Sequence, residues 1–287
     1  MPLTSPRWQP FAQIIHAQVP TQPEPADYEF KIADTGQELI QAFGLLYHEY
    51  LHAGYISESP SELLFTRHHL LPETTVFVAK AHGRVLSTTS VVRDSREFGL
   101  SMDDLYKTEL AALRNEGRRV LEICSLASDR RAVSRSAIQH FIKLIFLYCI
   151  FQDVDDVCIM VNPRHVRLYA SLFGFKLFGE KKHYPKVNAP AVALRVKTVE
   201  ARENLGRNCF TFSYSKHLHS RFLALKIALS DTILGAFQDN DNCAQNPLDA
   251  CLIGHMLSVK DEILQDLTLE CRKLLQSCYP GLCIQTS

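Results

Sequence analysis

Residues 158–180 read CIMVNPRHVRLYASLFGFKLFGE, and the fold turns on how this stretch is parsed. Cys158 to Val161 is an apolar run suited to a buried strand, and Asn162-Pro163 follows at a point where proline fits the first turn of a helix. Val166, Tyr169 and Phe173 then recur at three- and four-residue spacing, the period of one helix face. Gly174 stops that helix, and Phe175, Leu177 and Glu180 begin a new strand. The predicted order is strand, helix, Gly-Phe, strand; an ordinary βαβ unit would read the same way.

Outward from this stretch the chain divides at two composition changes. Residues 1–27 carry six prolines and no periodic apolar face, which predicts a flexible arm. Residues 28–197 alternate strands and helices. Tyr28 to Ile32 reads as a strand, and Asp34 or Thr35 as the cap of a helix from Gln37 that buries Leu39, Phe43 and Leu46 and ends at Gly54. Ser61 to Leu71 is assigned to a second helix. TVFVAKA, a His82-Gly83 turn and VLSTTSVVRD form a hairpin, and a helix from Asp103 runs to Gly117. A strand at Arg119 to Ala127, a helix from Ser134 or Ser136 to about Gln152, a strand at Val157 to Val161 and a last strand near Ala191 to Val196 complete the set. An antiparallel group followed by a β-α-β-α-β series predicts an α/β fold with a mixed, twisted sheet and helices on both faces. Residues 198–287 read as a helical extension, with helices over Lys216 to Phe237 and Ser258 to Ser277.

The 287 residues are 46% apolar, with 31 basic and 31 acidic side chains. A net charge of zero gives no reason to expect a nucleic-acid partner. No apolar run reaches the length of a membrane span and no signal segment opens the chain, so a cytoplasmic protein is expected, with no transmembrane segment and at most transient membrane contact when product leaves. Nine cysteines without a CxxC pair read as reduced, and His68-His69 and His217-x-His219 lack zinc-ligand spacing, so no metal is expected.

One residue stands out chemically. Glu122 lies in the middle of the apolar strand VLEICSLA, where an unpaired carboxylate would cost several kcal/mol. An arginine partner or an exposed sheet end would explain it; otherwise an apolar setting raises its pKa and makes it a general base for an amine. By period two, Cys124 and Leu126 share its face, and Ser125 points away unless a bulge intervenes. Cys124 as a nucleophile would need a histidine beside it, and the sequence indicates none.

The order Asn162, His165, Tyr169, Gly174-Phe175 resembles the final motif of the GNAT acyltransferase superfamily, in which an Asn and a Tyr face the thioester. With LLYHEYLHAGYI, LPETTVFVAKAHGRVLSTTSVVRDS, GLSMDDLYKTELAALRNEGRRVLEICSLASD, VNPRHVRLYASLFGF and GEKKHYPKVNAPAVALR, the chain from about Tyr28 to Lys197 is similar to the bacterial long-chain N-acyl amino acid synthases. This is a GNAT-fold family related to the acyl-homoserine lactone synthases. The resemblance implies a GNAT fold and transfer of a fatty acyl chain from acyl carrier protein to the amino group of an amino acid. Glu122 and Tyr169 would be the catalytic pair. Cys124, Ser125, Leu126, Arg131, Ser134, Ser136 and Asn162 would hold the donor pantetheine. Ser134 and Ser136 stand where GNAT enzymes carry pyrophosphate-binding glycines, which favours a carrier-borne acyl-phosphopantetheine with a single phosphate over coenzyme A. No bound cofactor is implied. Arg118, Arg119, Arg130, Arg131, Arg135, Arg164 and Arg167 would form a basic rim for an acidic carrier protein. The chain departs from related sequences at Leu45 and Leu46, where arginines are frequent, and at Cys124-Ser125, where Ser-Arg is frequent. The alternatives are a GNAT acetyltransferase using a small acyl-CoA on an amine or protein, and a non-catalytic module that binds acyl groups or their carrier.

Overall fold

The computed structural model describes residues 28–208, 248–260 and 262–282. The arm at 1–27 and the helix expected at 216–237 fall outside these residues. Strand β1 (Glu29–Ile32) leads into helix α1 (Gly36–His52). Thr35 settles the cap: its side chain accepts from Glu38 N at 3.2 Å, and Glu38 sits in the first turn, where a carboxylate suits the helix dipole. Strands β2 (Thr75–Ala81) and β3 (Arg84–Arg93) form the expected hairpin. His82 and Gly83 have φ of 51° and 75°, the two left-handed residues that a tight turn of matching twist requires.

Helix α2 (Asp103–Asn115), strand β4 (Val120–Ser128), helix α3 (Arg135–Phe151), strand β5 (Asp156–Val161) and helix α4 (Val166–Phe173) follow, with a 3-10 turn at Pro163–His165. Gly174 ends α4 at φ 74°, as its place in the sequence predicts. Strands β6 (Lys176–Leu177), β7 (Lys182–Tyr184) and β8 (Ala189–Lys197), helix α5 (Thr198–Asn208), and helices α6 (Ala250–Val259), α7 (Glu262–Gln265) and α8 (Leu269–Cys278) complete the described chain.

The sheet runs β1-β2-β3-β4-β5-β8-β6, with β7 paired to β8. It is mixed, as expected, but among the described residues β4 and β5 make the one parallel pairing, because β8 inserts antiparallel between β5 and β6. Period-two alternation sorts the core. Leu121, Val157, Ile159 and Leu194 pack beneath Phe141, Ile145, Phe146 and Phe173 of α3 and α4. On the opposite face Val92, Val120, Cys158 and Ala193 meet Met102, Tyr106 and Leu110 at α2. Val76, Val78 and Val85 share a cluster with Phe43 and Leu46 of α1, Ile253 and Met256 of α6, and Leu275 of α8.

Two expected helices are corrected. Ser61 to Leu71 holds only a 3-10 turn at Arg67–Leu70. Ser61 Oγ contacts Ser59 Oγ at 3.1 Å and accepts from Leu63 N at 3.5 Å, and Glu62 sits at φ 51°, so local side-chain bonds displace the helical ladder. The single helix expected at Ser258 to Ser277 starts earlier and breaks: Lys260 leaves helical geometry at φ −146°, and extended Thr268 caps α8 by accepting from Cys271 N at 3.3 Å.

Candidate active site

Pairing between β4 and β5 covers Val120 to Ile123 against Asp156 to Ile159 and then stops, although β4 continues to Ser128. At the same place β4 bulges. Ser90 is registered with Cys124 and Thr88 with Ala127, so two residues of β4, Ser125 and Leu126, face only Thr89, and Ser125 takes φ 56°. Thr89 Oγ1 holds the bulge by donating to Cys124 O at 2.8 Å. The result is a gap in the sheet whose edge is the backbone of 124–126.

A cavity of about 1750 Å³ opens at that gap. Its lining comes from both faces of the sheet: Glu122, Ser101 and Tyr184 on one side, and Ile142, Phe146 and Tyr169 on the other. Glu122 is 1% exposed. Ser101 Oγ donates to one of its carboxylate oxygens and Met102 N donates to the other at 3.2 Å. Among the described residues no cation lies within 4.0 Å of it, so neither an arginine partner nor solvent accounts for this charge. Burial pushes its pKa up to about 7, against the opposing pull of the Ser101 and Met102 bonds.

Across the gap, Tyr169 projects from α4, its ring edge-on to Phe175 at 6.1 Å and tilted against Phe173 at 6.2 Å. Burial pushes the phenol up to about 12, so it stays protonated near neutrality. Asn162 Oδ1 accepts from Arg164 N at 3.2 Å and so holds the turn that leads into α4. Cys124 shares the face of Glu122, as period two predicts; burial and the neighbouring Glu122 raise its pKa well above an ordinary thiol's. Ser125 Oγ donates to its sulfur at 3.8 Å and Ser101 also bonds it; among the described residues no histidine is hydrogen-bonded to this thiol.

The cavity thus gathers Glu122, Cys124, Ser125, Leu126, Arg130, Arg131, Arg135, Asn162, Arg164 and Tyr169. Ser134 is outside it and caps α3, accepting from Ala137 N at 3.2 Å, which occupies one backbone donor of that helix terminus. Ser136 falls in the first turn of α3, and its side chain lies outside the described atoms. The basic rim is smaller than the sequence implies. Arg118 and Arg119 precede β4, at the far end of a nine-residue strand from Arg130, and are ion-paired with Asp156 and with Asp153 and Asp155. Strand geometry puts roughly 30 Å between those ends. Arg167 is exposed on α4 and does not reach the cavity.

Ser101 and Tyr184 are wall residues that escape sequence reasoning. Ser101 carries no local signal; only the fold brings it to Glu122. Tyr184 comes from β7, donates to Asp104 Oδ2 at 2.9 Å, and has its pKa raised by burial, then by Asp104, with Glu122 and Cys124 adding to the effect. Tyr50 of α1 stacks edge-on with Tyr55 at 5.6 Å on the same wall.

Residues 41–197, more than half of the chain, match the family model described as N-acyl amino acid synthase FeeM. The solved structure of FeeM, an N-acyl amino acid synthase from uncultured soil microbes, aligns at 30% identity with a TM-score of 0.54, covering 61% of this chain and 93% of that one. The AHL synthase LasI aligns at 16% identity and TM-score 0.46, over 60% of this chain and 90% of its own. An N-acetyltransferase from Staphylococcus aureus Mu50 aligns at 13% and 0.41, over 60% and 98%. Comparison with curated protein sequences returns no match. The fold is that of the GNAT-like acyltransferases, with a buried carboxylate and a phenol at the parting of two parallel strands. The chain belongs to the FeeM family of N-acyl amino acid synthases and is an N-acyltransferase.

Proposed function

We propose that this enzyme transfers a long-chain fatty acyl group from acyl carrier protein to the amino group of an amino acid. The observation that carries this reading is that Glu122 and Tyr169 line one cavity, which reaches both faces of the sheet where β4 and β5 part. At about 1750 Å³ the cavity exceeds the roughly 300–1,000 Å³ of an ordinary small-molecule site. Its α3 side is apolar, with Ile138, Ile142, Ile145 and Phe146, and suits a fatty tail. Arg130, Arg131, Arg135 and Arg164 at the wall suit the phosphate and the acidic surface of a carrier protein.

In this mechanism the pantetheine arm enters the gap and places its thioester beside the bulge. Glu122, poised near neutral pH, removes a proton from the acceptor ammonium, directly or through water, and the free amine attacks the carbonyl carbon. Backbone N–H groups of 124–126, which have no registered partner on β5, receive the oxyanion. As the intermediate collapses, Tyr169 gives its proton to the departing thiolate, and the second proton shed by the attacking nitrogen returns, through water, to the phenolate. Ser134 occupying a donor of α3 is consistent with a donor carrying one phosphate rather than a pyrophosphate.

Incubation of the full chain with a mixture of the twenty amino acids and either long-chain acyl carrier protein or acetyl-CoA, followed by mass spectrometry, tests the reading. N-acyl amino acids formed from the carrier-bound donor are expected. A preference for acetyl-CoA would move the protein to small-acyl chemistry, and no product from either donor would make it a binding module.

A further inference from the structure

The C-terminal extension reaches the cavity wall. Lys260, at the break between α6 and α7, lines it together with Arg67 and Lys186. Lys260 Nζ donates to Phe65 O at 3.1 Å and lies 5.5 Å from the Phe65 ring centre; Arg67, two residues on, donates through Nη2 to Phe98 O at 3.3 Å. Phe98 begins the loop whose Ser101 and Met102 hold Glu122, so the guanidinium is anchored to the segment that positions the base. Lys186 is spoken for, its Nζ 2.8 Å from Asp104 Oδ2, which Tyr184 also engages. Among the described residues neither Arg67 nor Lys260 has a carboxylate oxygen within 4.0 Å, although Glu262 and Asp266 stand further off on the Lys260 side. Burial pulls the Lys260 pKa below its usual value, with Lys186 adding to that pull and Glu262 and Asp266 opposing it.

We infer that Arg67 and Lys260 bind the carboxylate of the acceptor, so that the C-terminal extension supplies part of the amino-acid site. This rests on the acyl-transfer reading above. A carboxylate would complete the fork of Arg67 and the ammonium of Lys260, which line the same cavity as Glu122. The two cations would then separate amino acids from simple amines.

The test takes whichever of the twenty amino acids the full chain acylates fastest and compares it with the amine made by decarboxylating it. Wild type is expected to favour the amino acid. Lys260→Met, whose apolar stem still covers the Phe65 ring, and Arg67→Gln should each raise KM for the amino acid, cutting the preference about tenfold or more; Lys260→Arg should restore it. Variants that acylate the amino acid with undiminished preference, or lose both substrates in parallel, overturn the carboxylate assignment and leave acyl transfer standing. Absence of any N-acyl product from wild type overturns the reading beneath it.

Discussion

Glu122 and Tyr169 are single residues whose chemistry is set by what surrounds them. The Glu122 pKa of about 7 lies above the ordinary 4.5, so the folded chain holds this proton more tightly than the unfolded one. Stability is therefore lost as pH rises between those two values, by roughly 3 kcal/mol in all. Glu122→Gln keeps the shape and removes the titration: its unfolding free energy should be flatter over that window and no lower than wild type at pH 8, as read by urea denaturation. Tyr169→Phe retains the packing on Phe173 and Phe175 while losing the proton donor, and should slow acyl transfer about 100-fold with a melting temperature close to wild type. Glu122 was legible in the sequence because a charge in VLEICSLA violates the strand's own pattern. Ser101 was not, since a serine before a helix is ordinary and its role exists only once α2 folds over β4.

At the scale of elements, the opening between β4 and β5 comes from a local irregularity rather than from a particular side chain. Ser125 sits at φ 56°, a conformation that costs a side-chain-bearing residue about 1–2 kcal/mol and a β-branched one more. Ser125→Gly should leave the melting temperature unchanged or slightly higher, whereas Ser125→Val should lower stability by about 1–2 kcal/mol and reduce turnover, both read by thermal denaturation beside an acylation assay. Failure of Ser125→Val to perturb either would mean that the bulge does not shape the site. Strands, the hairpin turn and the Asn162 to Phe175 unit follow from periodicity and from glycines placed where φ must be positive. The bulge does not, because it depends on the register of β3, a partner more than thirty residues away. The helix expected at Ser61 to Leu71 fails for a local reason, hydroxyl groups competing with the backbone, that composition alone does not reveal.

For the whole molecule, the described extension is not a separate layer. Ile253 is fully buried in the cluster that includes Phe43 and Val78, and Tyr279 donates to Leu70 O at 2.8 Å. Ile253→Ala should cost about 2–5 kcal/mol and shift one cooperative unfolding transition, followed by both fluorescence and circular dichroism. Two resolved transitions would instead make the extension an independent unit. The sequence indicated helices here but not their breaks, and so gave no hint that Lys260 would come to the cavity. The role of Glu122 is tested most directly by the pH dependence of kcat/KM for N-acylation by wild type and by Glu122→Gln. Wild type is predicted to rise through an apparent pKa near 7 to a plateau, with the folded glutamine variant at least about 100-fold slower and without that rise. A variant as active as wild type, with the same profile, would contradict it.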